Sequence, residues 1–205
     1  MKILIPTCRK LSDIIEMVDA IERTTPDCEV VVSGLSASAS VNRNYCLESV
    51  CVGEVAVMLD DDIDGFYSGW ADSLVLPMAD PNVVMVSARL LNPDGSFGQT
   101  CSRCYDARPW EIPVHSNGEC ILPTAAIAFR HLGIRFDENY IGSGYEDSDW
   151  CHEILAAVHN ARFLQSNRCQ LIHRNEMKNQ KGPYWKHNAM YYWTKWSKRR
   201  GNNDR

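Results

Sequence analysis

The first ninety residues alternate between short apolar runs and segments with helical spacing. Residues 2–5 form an apolar run that stops at Pro6, which predicts a strand ending at a turn. A helix with one buried face is predicted next, from apolar residues at Leu11, Ile14, Ile15, Val18 and Ile21. Residues 29–33 predict a second strand and 41–50 a second helix. This alternation indicates an α/β fold.

A strand that is continuously apolar after its first residue is predicted at residues 54–59, and a strand of that kind is buried on both faces, as parallel strands between helix layers are. The rest of the chain predicts helices at 66–78 and 148–159 and strands at 83–88, 125–130 and 169–172. Residues 92–124 have weak periodicity and are expected to form irregular connections and an edge hairpin of the same domain. We therefore expect a single compact domain, with a Rossmann-like, mostly parallel central sheet flanked by helices.

Composition and charge narrow the class of protein. The chain has 205 residues, 45% of them hydrophobic and 23% charged, which is typical of globular proteins. It has no apolar run near the ~20 residues of a membrane span and no signal-peptide pattern, so we expect a soluble cytoplasmic protein. Residues 174–205 carry nine Lys and Arg against two acidic residues, whereas the remainder is acidic. Such a tail is expected to contact phosphates, nucleic acid, a membrane surface or the acidic body itself.

The nine cysteines are scattered, and without a secretory signal they are expected to be reduced thiols. Cys101 and Cys104 have the spacing of metal ligands, and His115 and Cys120 are conceivable completing ligands. A zinc site here is one hypothesis, and ordinary thiols are the other.

Three consecutive carboxylates, Asp60-Asp61-Asp62, directly follow the buried strand. Ligands of open α/β sheets bind beyond the carboxyl ends of strands, and Mg²⁺ or Mn²⁺ prefers carboxylate oxygens. A solvated acidic turn is the alternative. An EF-hand is excluded because its twelfth position is Ala71 and a strand, not a helix, precedes the loop.

Two later positions also carry groups suited to chemistry. Carboxylates at 146, 147 and 149 precede a predicted helix, where Ser148 or Asp149 is expected to cap the N-terminus and another carboxylate to act as a general base. His173 ends an apolar run, and it is either a ligand or a hydrogen-bonded structural residue.

Taken in order, these segments resemble a family 2 glycosyltransferase of the GT-A fold over most of the chain. The resemblance lies in residues 3–7, 42–45, 53–54, 57–62, 128–130, 136–138, 144–149 and 173. Ser33 departs from the family pattern, which often has Asp there, and Cys8 departs from the aromatic or polar residue that usually follows the Pro-Thr turn.

The resemblance implies an inverting transfer from a UDP-, dTDP- or GDP-linked sugar to a carbohydrate or other hydroxyl acceptor, assisted by Mn²⁺ or Mg²⁺. Residues 1–90 would form the nucleotide-sugar-binding half and 91–173 the acceptor-binding half of one catalytic domain. The implied metal ligands are Asp62, His173 and Asp60, and the implied catalytic base is Asp147. The implied donor-binding residues are Pro6, Thr7, Arg43, Asp60 and Asp61, and the implied acceptor-binding residues are Glu146 and Trp110.

The basic tail, residues 174–205, is predicted to be a loop and a helix that pack on the same domain. We expect residues 174–183 to fold over the donor diphosphate, with Arg174 and Lys178 donating hydrogen bonds. An amphipathic helix is expected to follow, with Met190, Trp193 and Ser197 on one face and Tyr192 and Trp196 on an adjacent one. Its basic residues, Lys195, Lys198, Arg199 and Arg200, are expected to point outward.

Two alternative functions remain open from the sequence. One is a catalytically inactive relative that binds a nucleotide or glycan. The other is a glycosyltransferase acting on modified nucleic acid, in which tail aromatic residues would stack on bases. The aromatic residues in question are Trp185, Tyr191, Tyr192, Trp193 and Trp196.

Overall fold

The computed structural model describes residues 1–98, 110–111, 122, 124–174 and 184–203. Its strands are β1 (Lys2–Ile5), β2 (Glu29–Val32), β3 (Val55–Leu59), β4 (Ile63–Asp64), β5 (Val83–Leu91), β6 (Trp110–Glu111), β7 (Ala126–Arg130) and β8 (Arg162–His173). Its α-helices are α1 (Leu11–Thr24), α2 (Ala39–Leu47), α3 (Trp70–Val75), α4 (Glu146–Ala157) and α5 (Trp185–Asn203), and a 3₁₀ helix covers Leu76–Ala79.

The strands form one sheet in the order β2-β1-β3-β7-β5-β8-β4, and β6 also pairs with β8. Strand β1 is parallel to β2 and β3, and β5 is parallel to β8, whereas β7 runs antiparallel between β3 and β5. Strands β1, β2, β3, β5 and β8 therefore share one direction, which confirms the mostly parallel sheet. As a result, the carboxyl ends of β3 and β8 lie at the same edge.

Helices cover both faces of this sheet. On one face, α1 and α3 bury Ile14, Val18, Trp70 and Leu74 against the strands. On the other face, α2 and α4 contribute a second cluster that includes Leu47, Cys46, Trp150 and Ile154. Helix α5 contributes Tyr192 and Trp196 to a third, aromatic cluster, which also contains Tyr140. This layering of helices on a single sheet is the predicted α/β architecture.

Two features of the helices differ from the sequence prediction. In α1 only part of the predicted face is buried, because Leu11 and Ile15 are 52% and 43% exposed. Leu11 lies in the first turn, and Ile15 lies at the edge of the buried stripe. Helix α3 begins at Trp70 rather than near Phe66, after Gly69 in the left-handed region at φ +83°. Phe66 packs on the Trp70 ring from outside the helix.

Strand β8 begins at Arg162, seven residues before the predicted strand. Residues 165–168 are polar, which hides the first half of the strand from an apolar pattern, yet Gln165 and Ser166 are buried. Gln165 Nε2 donates to Ala88 O (3.4 Å), and Ser166 Oγ donates to Ser73 O (3.1 Å). These side chains can occupy a central strand because their polar atoms have partners there.

Candidate active site

Asp60, Asp62 and His173 meet at the edge where β3 and β8 end. Ile63 of β4 pairs with His173, and Arg174 N donates to Asp62 O (3.0 Å), so backbone hydrogen bonds hold the two segments in register. His173 Nε2 lies 3.1 Å from Asp62 Oδ1, and the ligand atoms of all three side chains lie within 4.8 Å of one another. We call these three residues the metal cluster.

The donor set of the metal cluster fits a divalent cation. Carboxylate oxygens suit Mg²⁺ and Mn²⁺, and an imidazole adds a nitrogen ligand that transition metals accept. Burial raises the pKa of Asp60 above its usual value, with Arg43 and His173 opposing that rise. Because Asp62 and Asp147 also raise this pKa by repulsion, a cation bound here would relieve an existing excess of negative charge.

Arg43 connects the metal cluster to the start of α4. It projects from α2, is buried, and donates from Nη1 to Glu146 Oε1 (2.7 Å) and from Nη2 to Asp60 Oδ1 (3.3 Å). Its guanidinium also lies over the Phe136 ring, 5.3 Å from the centroid. Burial alone would lower the pKa of Arg43, but the carboxylates of Glu146 and Asp60 outweigh it and raise the pKa. Arg43 therefore stays charged and links the carboxylates of Asp60 and Glu146.

Thr7 and Asp61 form a second contact at the end of β1, directly after Pro6. The Thr7 hydroxyl donates to Asp61 Oδ2, and Arg9 Nε lies 3.5 Å from the same oxygen. Ser33 Oγ accepts from Thr7 N (2.9 Å) and donates to Thr7 O (3.0 Å). The serine at the family's usual Asp position therefore holds the β1 turn. Arg9 is a member of this group that the sequence prediction missed.

The carboxylates at 146, 147 and 149 have different surroundings. Glu146 is buried and accepts on one oxygen from Arg43 and on the other from Gly144 N (2.5 Å). Asp149 is fully buried and accepts from Lys195 Nζ (2.7 Å) and Trp196 Nε1 (2.8 Å). Asp147 is partly exposed and accepts from Thr124 Oγ1 (2.7 Å). Asp147 is thus the most accessible of the three.

The prediction that Ser148 or Asp149 caps the N-terminus of α4 is wrong. The N-cap is Tyr145, which makes no side-chain capping bond and has φ +71°. Ser148 and Asp149 lie inside the helix, where Ser148 N donates to Asp147 Oδ1 (2.8 Å). Two acidic residues of the first turn instead contact other helices, Glu146 through Arg43 of α2 and Asp149 through Lys195 of α5.

Several predicted residues lie elsewhere or outside the described ranges. Arg174 pairs with Asp64, both half-exposed, with Nε 3.2 Å from Asp64 Oδ2. Lys178 and the zinc candidates, Cys101, Cys104, His115 and Cys120, are outside the residues that the structure describes. The backbone of Trp110 pairs with Gln165, but its side chain is also outside them. Six other cysteines are free thiols.

The tail helix packs on the acidic body, as one of the sequence interpretations proposed. Tyr192 and Trp196 are buried, as the amphipathic pattern predicted, whereas Met190 is 72% exposed. The outward orientation predicted for Lys195 is wrong, because its Nζ lies within 3.0 Å of carboxylate oxygens of three residues, Asp137, Asp149 and Glu153. Since the Tyr192 and Trp196 rings are enclosed, base stacking on them has no structural support.

The fold is the GT-A fold, as comparison with solved structures shows. One similar structure is the mannosyltransferase PcManGT from Pyrobaculum calidifontis in complex with GDP-Man and Mn²⁺ (TM-score 0.58, 16% identity, 87% of this chain and 57% of that one). Another is TarS 1-349 of S. aureus (TM-score 0.57, 14% identity, 83% and 59%). A third is GalNAc-T7 with UDP, GalNAc and Mn²⁺ (TM-score 0.52, 13% identity, 83% and 37%).

The chain therefore spans between 37% and 59% of the lengths of these three proteins. No protein-family model matches the chain, and no curated protein matches its sequence. Among the described residues, no helix has the combination of length and apolar character that a membrane crossing requires.

Proposed function

We propose that this protein is a glycosyltransferase that moves a sugar from a nucleoside-diphosphate sugar to an acceptor hydroxyl, and that it belongs with the family 2 enzymes. The observation that carries the proposal is the metal cluster, in which Asp60, Asp62 and His173 converge at the carboxyl-terminal edge of the sheet. That edge is where open α/β sheets bind ligands. The similarity in fold to metal-bound and nucleotide-bound transferases supports the same proposal.

Asp60, Asp62 and His173 would hold Mn²⁺ or Mg²⁺. When bound, such a cation neutralises the negative charge that develops on a departing diphosphate. Arg43 keeps one Asp60 oxygen oriented, and Glu146, whose two oxygens both accept from protein groups, keeps Arg43 in place. Pro6, Thr7 and Asp61 would contact the nucleoside, and Arg174 and Lys178 would contact the diphosphate.

Asp147 would be the general base. It takes the proton of the acceptor hydroxyl while that oxygen bonds to the anomeric carbon and the bond from this carbon to the diphosphate oxygen breaks. A single displacement of this kind inverts the configuration at the anomeric carbon. Thr124 donates to Asp147 Oδ2 (2.7 Å) and holds the carboxylate just before the start of β7, beside the carboxyl end of β3. Trp110 is the proposed contact to a carbohydrate acceptor.

Thermal denaturation with nucleoside diphosphates and Mn²⁺ tests the metal cluster. A ligand at 100 times its Kd adds about 2.7 kcal/mol, which raises Tm by roughly 5–10 °C in a chain of this size. We expect this shift for UDP or GDP with Mn²⁺ and its loss in Asp62→Asn. Asp80→Asn is the matched control, because Asp80 pairs with Arg162 at the surface, at the opposite edge of the sheet, where β5 and β8 begin. An unchanged shift in Asp62→Asn contradicts the assignment.

Asp147→Asn tests the base. The amide keeps the size and hydrogen-bonding capacity of the side chain but cannot take a proton. Sugar transfer, or release of nucleoside diphosphate from the donor in the absence of an acceptor, should fall by roughly 10²–10⁴-fold. The Mn²⁺-dependent thermal shift should stay at the wild-type value. Near-normal turnover in this variant would assign proton transfer to another group.

A further inference from the structure

Helix α5 holds the segment 137–149 at several successive points. Asn188 is fully buried and accepts from Ile141 N (3.1 Å) while its Nδ2 donates to Ile141 O (2.9 Å) and Ser143 O (3.3 Å). One side chain thus satisfies three backbone groups of the loop that leads into α4. Such a residue fixes the path of a loop, because each bond removes an alternative conformation.

Aromatic rings of α5 hold the next residues of the segment. A Cβ atom on Gly144 would lie 2.8 Å from Trp185 Cε3, so the helix approaches the backbone as closely as only glycine permits. Tyr145, at φ +71°, packs against Trp185 and Tyr192 with ring centroids 4.9 and 5.2 Å away. A strained backbone of this kind persists only where its surroundings hold it.

The last contact is to the first turn of α4. Lys195 Nζ and Trp196 Nε1 each donate to a different oxygen of Asp149, which is fully buried. Lys195 also donates to Asp137 Oδ2 (3.0 Å) at the start of the segment. Asp147 lies two residues before Asp149 in the same turn and faces Thr124. This one helical turn therefore links α5 to the candidate base.

We propose that Lys195 and Trp196 are positioning residues that set the place of the Asp147 carboxylate by holding Asp149. The inference rests on the proposed function. It adds that sugar transfer requires α5, although α5 makes none of the metal or base contacts described above. A buried ion pair contributes little net stability compared with apolar residues of the same volume, but it does define one geometry. Reaction rates respond steeply to such geometry, because a displacement near 1 Å can cost about 10²-fold.

The test compares four variants of the full chain. Lys195→Met removes the ammonium, Lys195→Arg keeps a cation, and Trp196→Phe removes the donor to Asp149 Oδ1 while keeping a smaller aromatic ring. Lys198→Met is the matched control, because Lys198 is exposed on the same helix. Each variant is given UDP-glucose or GDP-mannose with Mn²⁺, and the released nucleoside diphosphate is measured well below its Tm. The same samples yield the donor KM and the Mn²⁺-dependent thermal shift.

We expect Lys195→Met to lower kcat by about 10–100-fold, with KM and the Mn²⁺-dependent shift near wild type. Trp196→Phe should lower kcat by a smaller factor, Lys195→Arg should recover part of the loss, and Lys198→Met should equal wild type. If Lys195→Met does not fold, Trp196→Phe decides the matter. A lower Tm with unchanged kcat in the folded variants overturns the inference and leaves the proposed function intact. If the wild type releases no diphosphate and shows no Mn²⁺-dependent shift, the proposed function fails, and the inference fails with it.

Discussion

Two groups of carboxylates, one at the ends of β3 and β8 and one between α4 and α5, are neutralised in different ways. In the metal cluster, Asp60 and Asp62 face the imidazole of His173. In the other group, which we call the clamp, Asp137, Asp149 and Glu153 surround the ammonium of Lys195 at 2.7–3.0 Å. Both are acidic clusters, but Lys195 contacts all three carboxylates of the clamp and Arg199 also contacts Glu153, whereas Arg43 donates to one carboxylate of the metal cluster, Asp60.

The difference supports the proposal that the metal cluster, rather than the clamp, is the ligand site. A lysine ammonium with three carboxylate partners has used all three of its hydrogen-bond donors, so the clamp is complete without a ligand. In the metal cluster, burial is the largest cause of the raised pKa of Asp60, and repulsion from Asp62 and Asp147 adds to the rise that Arg43 and His173 oppose. Burial also raises the pKa of Asp149 in the clamp, but there hydrogen bonds from Lys195 and Trp196 oppose the rise. A group whose charge is compensated stabilises the fold, whereas one whose charge is not compensated gains from an added cation.

The largest difference is expected between Asp149→Asn and Asp62→Asn in metal-free buffer. Asp149→Asn removes one charge of a buried pair and should lower the free energy of unfolding by about 3 kcal/mol. Asp62→Asn relieves repulsion and should leave it within about 0.5 kcal/mol of wild type or raise it. Urea denaturation measures both. Equal losses in the two variants would show that the metal cluster is also a structural ion pair.

A smaller effect is expected where α5 meets Gly144. Gly144→Ala places a methyl group against Trp185 and should cost roughly 1–3 kcal/mol beyond the backbone penalty. Gly53→Ala is the control, because Gly53 has a comparable φ of +91° but open space around the new Cβ atom. If both variants lose the same stability, the approach of α5 to Gly144 is not tight.

The smallest effect concerns pH. Burial alone would raise the pKa of Asp137, but hydrogen bonds from Asn139, Lys195 and Tyr191 outweigh it and lower the pKa to about 2. A lowered carboxylate pKa stabilises the fold above the unfolded value, near 4, and that contribution is lost as the pH falls toward 2. Between pH 5 and pH 3 the loss should be about 1 kcal/mol. Urea midpoints should show it as a steeper acid dependence in wild type than in Asp137→Asn, and parallel curves would contradict it.

Local patterns predicted the first three strands of the molecule well. The bounds of β1 and the end of β3 follow from uninterrupted apolar runs, β3 begins one residue later than predicted, and the position of Asp60 and Asp62 follows from the end of β3. The proposed role of His173 as a metal ligand beside Asp62 came from the family resemblance, because a lone histidine after a strand can also be a hydrogen-bonded structural residue. The backbone register of β4 and β8 is what brings these two residues together.

The clamp was beyond prediction from local pattern. Lys195 lies on a basic helix, and helical spacing alone places its side chain on the polar face; only the fold shows that Asp137 and Asp149 are opposite it. Asn188 was missed for the same reason, since a buried amide is identified by its partners and not by its neighbours in sequence. The polar stretch of β8 was missed for the same reason, because its burial depends on hydrogen bonds to residues far away in the sequence.

The pairing of Ile63 with His173 has a consequence for how the chain folds. The two halves of the metal cluster are more than a hundred residues apart, and they meet only when the two-residue strand β4 docks on the end of β8. Contacts between such distant segments carry a large loop-closure cost and form slowly. A chain still emerging from the ribosome holds both aspartates long before it holds the histidine. The proposed cation site is therefore complete only after β4 has paired with β8. Binding of Mn²⁺ during refolding should develop only in the final kinetic phase.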